Sequence, residues 1–156
     1  MTRINSAIPV KCLTDEHLLA EHREIKRLPY NLQKSIKSGS IKRIPNEFTL
    51  GTGHVLFFLD KMLFVMNRYI LIRDECKLRK LNVTDYLGNW FTNDIPDNCK
   101  KDYTPTAEER QLLIKRIKER ILNSPKETWH YYGHEINRDD AIKLLTNDFY
   151  YDNPDL

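Results

Sequence analysis

In the middle of the chain Val55, Phe58, Leu59, Met62, Val65, Met66, Tyr69 and Ile72 recur at three- and four-residue spacing, the period of one helical face. The spacing predicts a long helix from about Gly53 to Leu81. Residues 55–72 would be long enough to cross a membrane, but Asp60, Lys61, Asn67 and Arg68 fall inside the run. Charges at that depth are costly in lipid, so a core helix with partners on most sides is the better reading, and no membrane is expected. Upstream, Thr14 is placed to cap a helix from Asp15 to about Arg27 or Leu28, with Asp15 and Glu16 in its first turn. Pro29 then breaks or bends it, and a short helix over 30–37 follows. Downstream, Thr106-Ala107-Glu108-Glu109 reads as a capping box opening a helix to about Leu122, with Leu113, Ile114, Ile117 and Ile121 as its apolar stripe. Asn137 is placed to cap a last short helix over 138–146. Residues 40–52 and 82–105 carry prolines, glycines and asparagines and read as loops. The expected fold is all-α: a compact single-domain helical bundle with long irregular loops.

Charge changes this picture more than composition does. The net charge is only +3, yet residues 1–46 hold nine Lys/Arg against four Asp/Glu, and residues 113–127 hold five against two. Residues 135–156 reverse the sign, with two against six, so an acidic end masks two basic segments. Basic character gathered in this way is a footprint of polyanion binding. Cys12, Cys76 and Cys99 are odd in number and form no CxxC, so neither a disulfide framework nor a zinc site is indicated. A reduced, cytoplasmic compartment fits, and the N-terminus lacks the apolar core of a signal peptide.

The chemistry is concentrated near the start. Met1 is removed by methionine aminopeptidase when a small residue follows, and Thr2 is small. The product carries an α-amine whose ordinary pKa is about 7.7–8.0, well below a lysine, and a good fraction is neutral at physiological pH. Such an amine can attack a sugar carbon and form an imine. A retained Met1 would make the Thr2 nitrogen an amide and forbid this. Glu24, flanked by Arg23 and Arg27, supplies an acid/base group on the first helix, where His17, Glu21, Glu24 and Leu28 share one side. The bland alternative is that Glu21 and Glu24 form ordinary solvated pairs. Arg3, Arg23, Arg27, Arg116 and Arg120 suit phosphates, because a guanidinium makes paired hydrogen bonds. Gly51-Thr52-Gly53-His54 superficially resembles a phosphate loop but lacks its lysine and spacing, and reads as a turn into the long helix. His130 and His134 with Glu135 make the best metal set, and two histidines without a third spaced ligand do not sustain one.

Taken together, Met-Thr-Arg-Ile-Asn at the start, Asp15-Glu16-His17-Leu18 through Glu21-His22-Arg23-Glu24, Leu50-Gly51-Thr52-Gly53-His54-Val55 and Thr128-Trp129-His130-Tyr131-Tyr132-Gly133 resemble the pyrimidine-dimer DNA glycosylases, the phage and viral endonuclease V enzymes. The resemblance covers roughly residues 1–134, read as the glycosylase-like helical domain, with 135–156 an acidic extension packed on it. It implies a bifunctional glycosylase/AP lyase on UV-damaged double-stranded DNA, working as a monomer without metal or cofactor, with Thr2 as nucleophile and Glu24 as its acid/base partner. It implies DNA contacts from Glu16 and His17, beside the lesion, and from Trp129 and Tyr131, although aromatics after the last long helix also commonly cap a core. Glu16 stands where the family carries glutamine, and an acid there would repel phosphate or alter base contacts. The same chemistry on another damaged base therefore stays open, as does a non-catalytic helical DNA-binding protein.

Overall fold

The computed structural model describes residues 4–92 and 94–146. These fall into two units. Ile4 with 21–74 and 83–104 makes the first, and residues 5–20, 75–82 and those from 105 onward make the second. The fold is mostly helical, as the periodicity predicts, with one small two-stranded sheet that the pattern did not announce.

Helix α1 spans Asp15–Ile25 and α2 spans Leu28–Ser38. Pro29 does not end a helix here; it lies in the first turn of α2, where its missing N–H has no helical partner to lose. The chain turns between the two helices as the Arg27 amide donates to the Glu24 carbonyl at 3.1 Å. The long central helix is broken: α3 covers His54–Phe58 and α4 covers Met62–Leu78. The cause is distant in sequence. The Asp60 carbonyl accepts the Lys101 amide at 3.2 Å, and Lys61 pairs with Lys100 in an isolated antiparallel bridge. The Lys61 ammonium donates back to the Phe57 carbonyl at 2.8 Å and so satisfies an acceptor freed by the break. Among the described residues of 83–104 the helical pieces are short 3-10 turns at Leu87–Trp90 and Asp97–Cys99. The core of the first unit combines Ile25, Leu28, Leu32, Val65, Tyr69 and Ile72 with a set of edge-to-face rings, among them Phe57–Phe58 at 5.1 Å and Phe57–Tyr103 at 5.2 Å between centroids.

In the second unit α5 runs Ala107–Asn123, and the Thr106 hydroxyl accepts the Glu109 amide as the capping box requires. Its buried positions Leu113, Ile117 and Ile121 form the predicted stripe. Strands β1 (Thr128–Tyr131) and β2 (His134–Asn137) pair antiparallel, with Trp129 opposite Ile136 and Tyr131 opposite His134. Tyr132 and Gly133 make the turn with φ of 52° and 79°. Glycine takes such an angle freely, whereas tyrosine needs outside support. Helix α6, Arg138–Leu144, is capped by the Asn137 side chain accepting the Asp140 amide at 2.8 Å. Among the described residues no helix is long and apolar enough to cross a membrane.

Candidate functional site

Four carboxylates lie along α1, and the fold treats them differently. The helix buries Leu18, Glu21, His22 and Ile25, spaced three, four and seven residues from the first, which is the inward stripe of an amphipathic helix. Glu21 therefore points inward. Its carboxylate grips the Arg68 guanidinium in a fork, with Nε donating to Oε2 at 2.8 Å and Nη2 to Oε1 at 3.0 Å, and both side chains are buried. The expectation that Glu21 and Glu24 share one functional side thus needs correction, because a 100° step per residue carries Glu24 off the buried stripe. Glu24 is partly exposed, and among the described residues its one side-chain partner is Arg27, whose Nη1 donates to Oε2 at 3.4 Å. Arg23 and Arg27 are both exposed beside it. The result is a solvent-reachable carboxylate on a cationic rim, with neither its lone pairs nor its neighbours committed to the core.

Thr2 and Arg3 lie outside the described residues. Ile4, the first described residue, is fully buried. Its amide donates to Nε2 of His54 at 3.0 Å, and the His54 Nδ1–H donates to the Thr49 carbonyl at 3.0 Å. Ile4, His54, Arg23, Glu24 and Arg27 all belong to the first unit.

The second unit holds the remaining expected site residues. Glu16 does not present a bare charge: its carboxylate accepts the His130 amide at 3.0 Å and the His130 Nδ1–H at 2.6 Å, with the Lys126 ammonium 3.8 Å away. Burial raises the Glu16 carboxyl, but the His130 bonds outweigh burial and hold it below the usual carboxylate range. His17 is partly exposed, and its Nδ1 lies 2.9 Å from the Thr14 hydroxyl. Burial pushes the His17 imidazole below its ordinary value, so the neutral ring is favoured. Arg116 is partly exposed and Arg120 exposed along α5, at the predicted four-residue spacing.

Trp129 and Tyr131, the aromatics expected at the DNA, lie inside the hairpin. They are 3% and 0% exposed, because strand alternation turns residues 129 and 131 to the inside and leaves His130 on the other face. The Tyr131 hydroxyl donates to the Lys11 carbonyl at 2.8 Å, and its ring lies 4.7 Å from the buried guanidinium of Arg79. Arg79 is a hub that no local pattern announces. It donates to the Leu13 and Val10 carbonyls and to the carboxylates of Glu75 and Asp15 at 2.8–3.1 Å. Asp15 in turn accepts the Tyr132 and Gly133 amides at 3.1 and 2.9 Å, which supplies the support that the positive-φ tyrosine needs. Burial raises the Glu75 carboxyl, but hydrogen bonds from Tyr132 and Arg79 prevail and keep it ionised. His134 faces Tyr131 across the hairpin, and among the described residues no cluster of three or more His, Cys, Asp or Glu side chains is arranged to hold a metal.

The sequence model of the pyrimidine dimer DNA glycosylases matches residues 1–87, more than half of the 156-residue chain. That span includes the N-terminal Thr2, the Arg23-Glu24-Arg27 rim and His54. The chain belongs to the pyrimidine dimer DNA glycosylase family.

Proposed function

We propose that the protein excises UV-induced cyclobutane pyrimidine dimers from duplex DNA as a combined glycosylase and AP lyase, with the Thr2 α-amine as nucleophile. The single observation that carries the chemistry is Glu24, an acid left open between Arg23 and Arg27 while Glu21, three residues away, is locked into the core. The neutral amine attacks C1′ of the damaged nucleotide. The glycosidic C1′–N bond breaks, its electron pair leaves with the base, and a proton from solvent or Glu24 neutralises it. Opening of the sugar gives a C1′ imine, and the ring oxygen departs as a hydroxyl.

The protonated imine acidifies the C2′ hydrogens. A base removes one, the C2′=C3′ bond forms, and the 3′ phosphate leaves with the C3′–O electron pair. Water then hydrolyses the imine and frees the amine. Glu24 stabilises the positive charge that develops at C1′ and relays protons, while Arg23 and Arg27 hold the flanking phosphates. Arg116 and Arg120 on α5 extend the phosphate contacts, and lesion access follows from extruding a nucleotide where stacking is already weakened.

Borohydride trapping on a duplex with one thymine dimer tests this directly. The expected result is a covalent adduct that peptide mass spectrometry assigns to Thr2. An adduct on an abasic duplex but not on the dimer would move the substrate to another lesion. No adduct on either, with Met1 shown to be absent, would reduce the protein to a DNA binder.

A further inference from the structure

A flexible terminus is a poor place for a nucleophile, because attack at carbon tolerates little error in position. Misplacement by about 1 Å can cost roughly 100-fold in rate. The described chain begins at a firmly held residue, Ile4. Its side chain is 0% exposed, which anchors the residue sideways. Its backbone is held by the His54 imidazole, which is itself 1% exposed. The Thr49 carbonyl can only accept, so Nδ1 carries the hydrogen. The Ile4 amide can only donate, so in the neutral ring Nε2 accepts it at 3.0 Å. The Ile4 carbonyl lies 3.1 Å from the same Nε2, a bond open to the protonated ring. The ring therefore holds Ile4 in either state.

His54 in turn has little freedom. Phe48 and Phe58 meet it edge-on at 5.5 and 5.4 Å between centroids. The loop that supplies Thr49 lies close against Gly53, where a Cβ would come within 2.9 Å of the Thr49 methyl group and 3.3 Å of Pro45. The four-residue helix-entry segment thus serves to place a ring and binds no phosphate of its own in this reading.

We infer that His54 is the positioning residue for the N-terminal nucleophile. The amide it holds belongs to a planar peptide unit that also contains the Arg3 Cα. With that plane fixed, only ψ and φ of Arg3 and ψ of Thr2 separate it from the amine. The extended chain from the Ile4 nitrogen to the Thr2 nitrogen is at most about 7 Å. One buried imidazole thus fixes the point from which the amine is tethered, within about 7 Å of the Ile4 nitrogen. This inference rests on the imine reading above and adds to it the element that pre-organises the attack.

The test compares His54→Asn and His54→Gln with the wild-type protein, all with Met1 shown to be absent. Asparagine reaches the Thr49 carbonyl but not Ile4, whereas the glutamine carbonyl extends to the Nε2 position and can accept the Ile4 amide. Three quantities are read: the single-turnover rate of borohydride-trapped adduct on an abasic-site duplex, the Kd for a tetrahydrofuran-site duplex, and hydrogen exchange at the Ile4 amide. The expected outcome is a trapping rate lowered about 100-fold in His54→Asn, with Kd within about threefold of wild type and Ile4 exchange accelerated. His54→Gln should recover most of the rate.

An Asn variant that traps at the wild-type rate overturns the inference. So does a parallel loss of rate, binding and melting temperature in both variants, which would mark a core residue. Should the Asn variant fail to fold, a wild-type Ile4 amide that exchanges freely overturns it, and a protected one with normal trapping in His54→Gln supports it. Wild-type protein that forms no adduct defeats the imine reading itself, and this role for His54 falls with it.

Discussion

The two ends of α1 use acidic residues for opposite purposes. At its start, Asp15 and Glu16 are consumed by structure. Asp15 binds both amides of the Tyr132-Gly133 turn and the Arg79 guanidinium, and Glu16 binds the amide and ring of His130. Toward its end, Glu24 has a single 3.4 Å contact with an exposed arginine. Glu21 shows that position along the helix is not the deciding factor: it is buried and forked to Arg68. A carboxylate that stabilises a fold has its desolvation cost offset by the bonds that engage it, whereas one that must move protons has to keep lone pairs for the substrate. The contrast leaves Glu24 open to a partner and Glu16 engaged within the fold. The Glu16 carboxylate is thus not bare: His130 donates to it and the Lys126 ammonium lies 3.8 Å away.

The contrast breaks most visibly at Glu24 itself. Glu24→Gln should lower strand cleavage by roughly 10²–10⁴-fold while leaving the melting temperature and the affinity for lesion DNA nearly unchanged. Normal turnover in that variant would remove Glu24 from the mechanism. Next come the structural acids, with the opposite signature. Glu21→Ala should cost about 3–5 kcal/mol in denaturant unfolding, because it strips the forked carboxylate from buried Arg68, and Asp15→Ala should cost less, because Arg79 keeps Glu75. A loss below about 1 kcal/mol in Glu21→Ala would mean that solvent reaches the pair.

The smallest effect is at the hairpin. His130→Ala should cost about 1 kcal/mol at neutral pH, the worth of one well-made hydrogen bond. Its pH dependence follows from Glu16. The folded carboxyl lies below its ordinary 4.5, so its contribution is fully present above about that pH and is lost as pH falls through the lowered folded value. The stability gap between wild type and His130→Ala should therefore narrow as pH falls below about 4.5. A gap that widens on acidification would show that the ring, not the carboxylate, sets the dependence.

How much of this was legible in the sequence depends on the range of the interaction involved. The caps at Thr106 and Asn137 were readable, because each is a bond from a side chain to an amide three residues ahead. So were the stripe of α5 and the start of α1 at Asp15, which follow from a period of 3.6 residues. The break at 59–61 was not, since the Asp60 carbonyl is taken by Lys101 and no local signal marks that. The hairpin had a faint signal in alternating Trp129 and Tyr131 ahead of a glycine turn. The aromatic types alone suit both a DNA-facing cluster and a core cap, and only the pairing of the strands turns the rings inward.

The candidate site divides along the same line. Glu24 between two arginines and the small residue after Met1 are facts of the chain, and chemistry alone picks them out. That Glu24 stays open while Glu21 is buried was decided by the tertiary structure, because burial depends on which side of α1 meets Arg68, 47 residues away. The pairing of Glu16 with His130 spans 114 residues, and the hold of His54 on Ile4 spans 50. Sequence thus fixes which groups are available and what they can do in isolation. Only folding brings distant acceptors and donors within 3 Å, and that proximity determines which charges are consumed and which are left for a substrate.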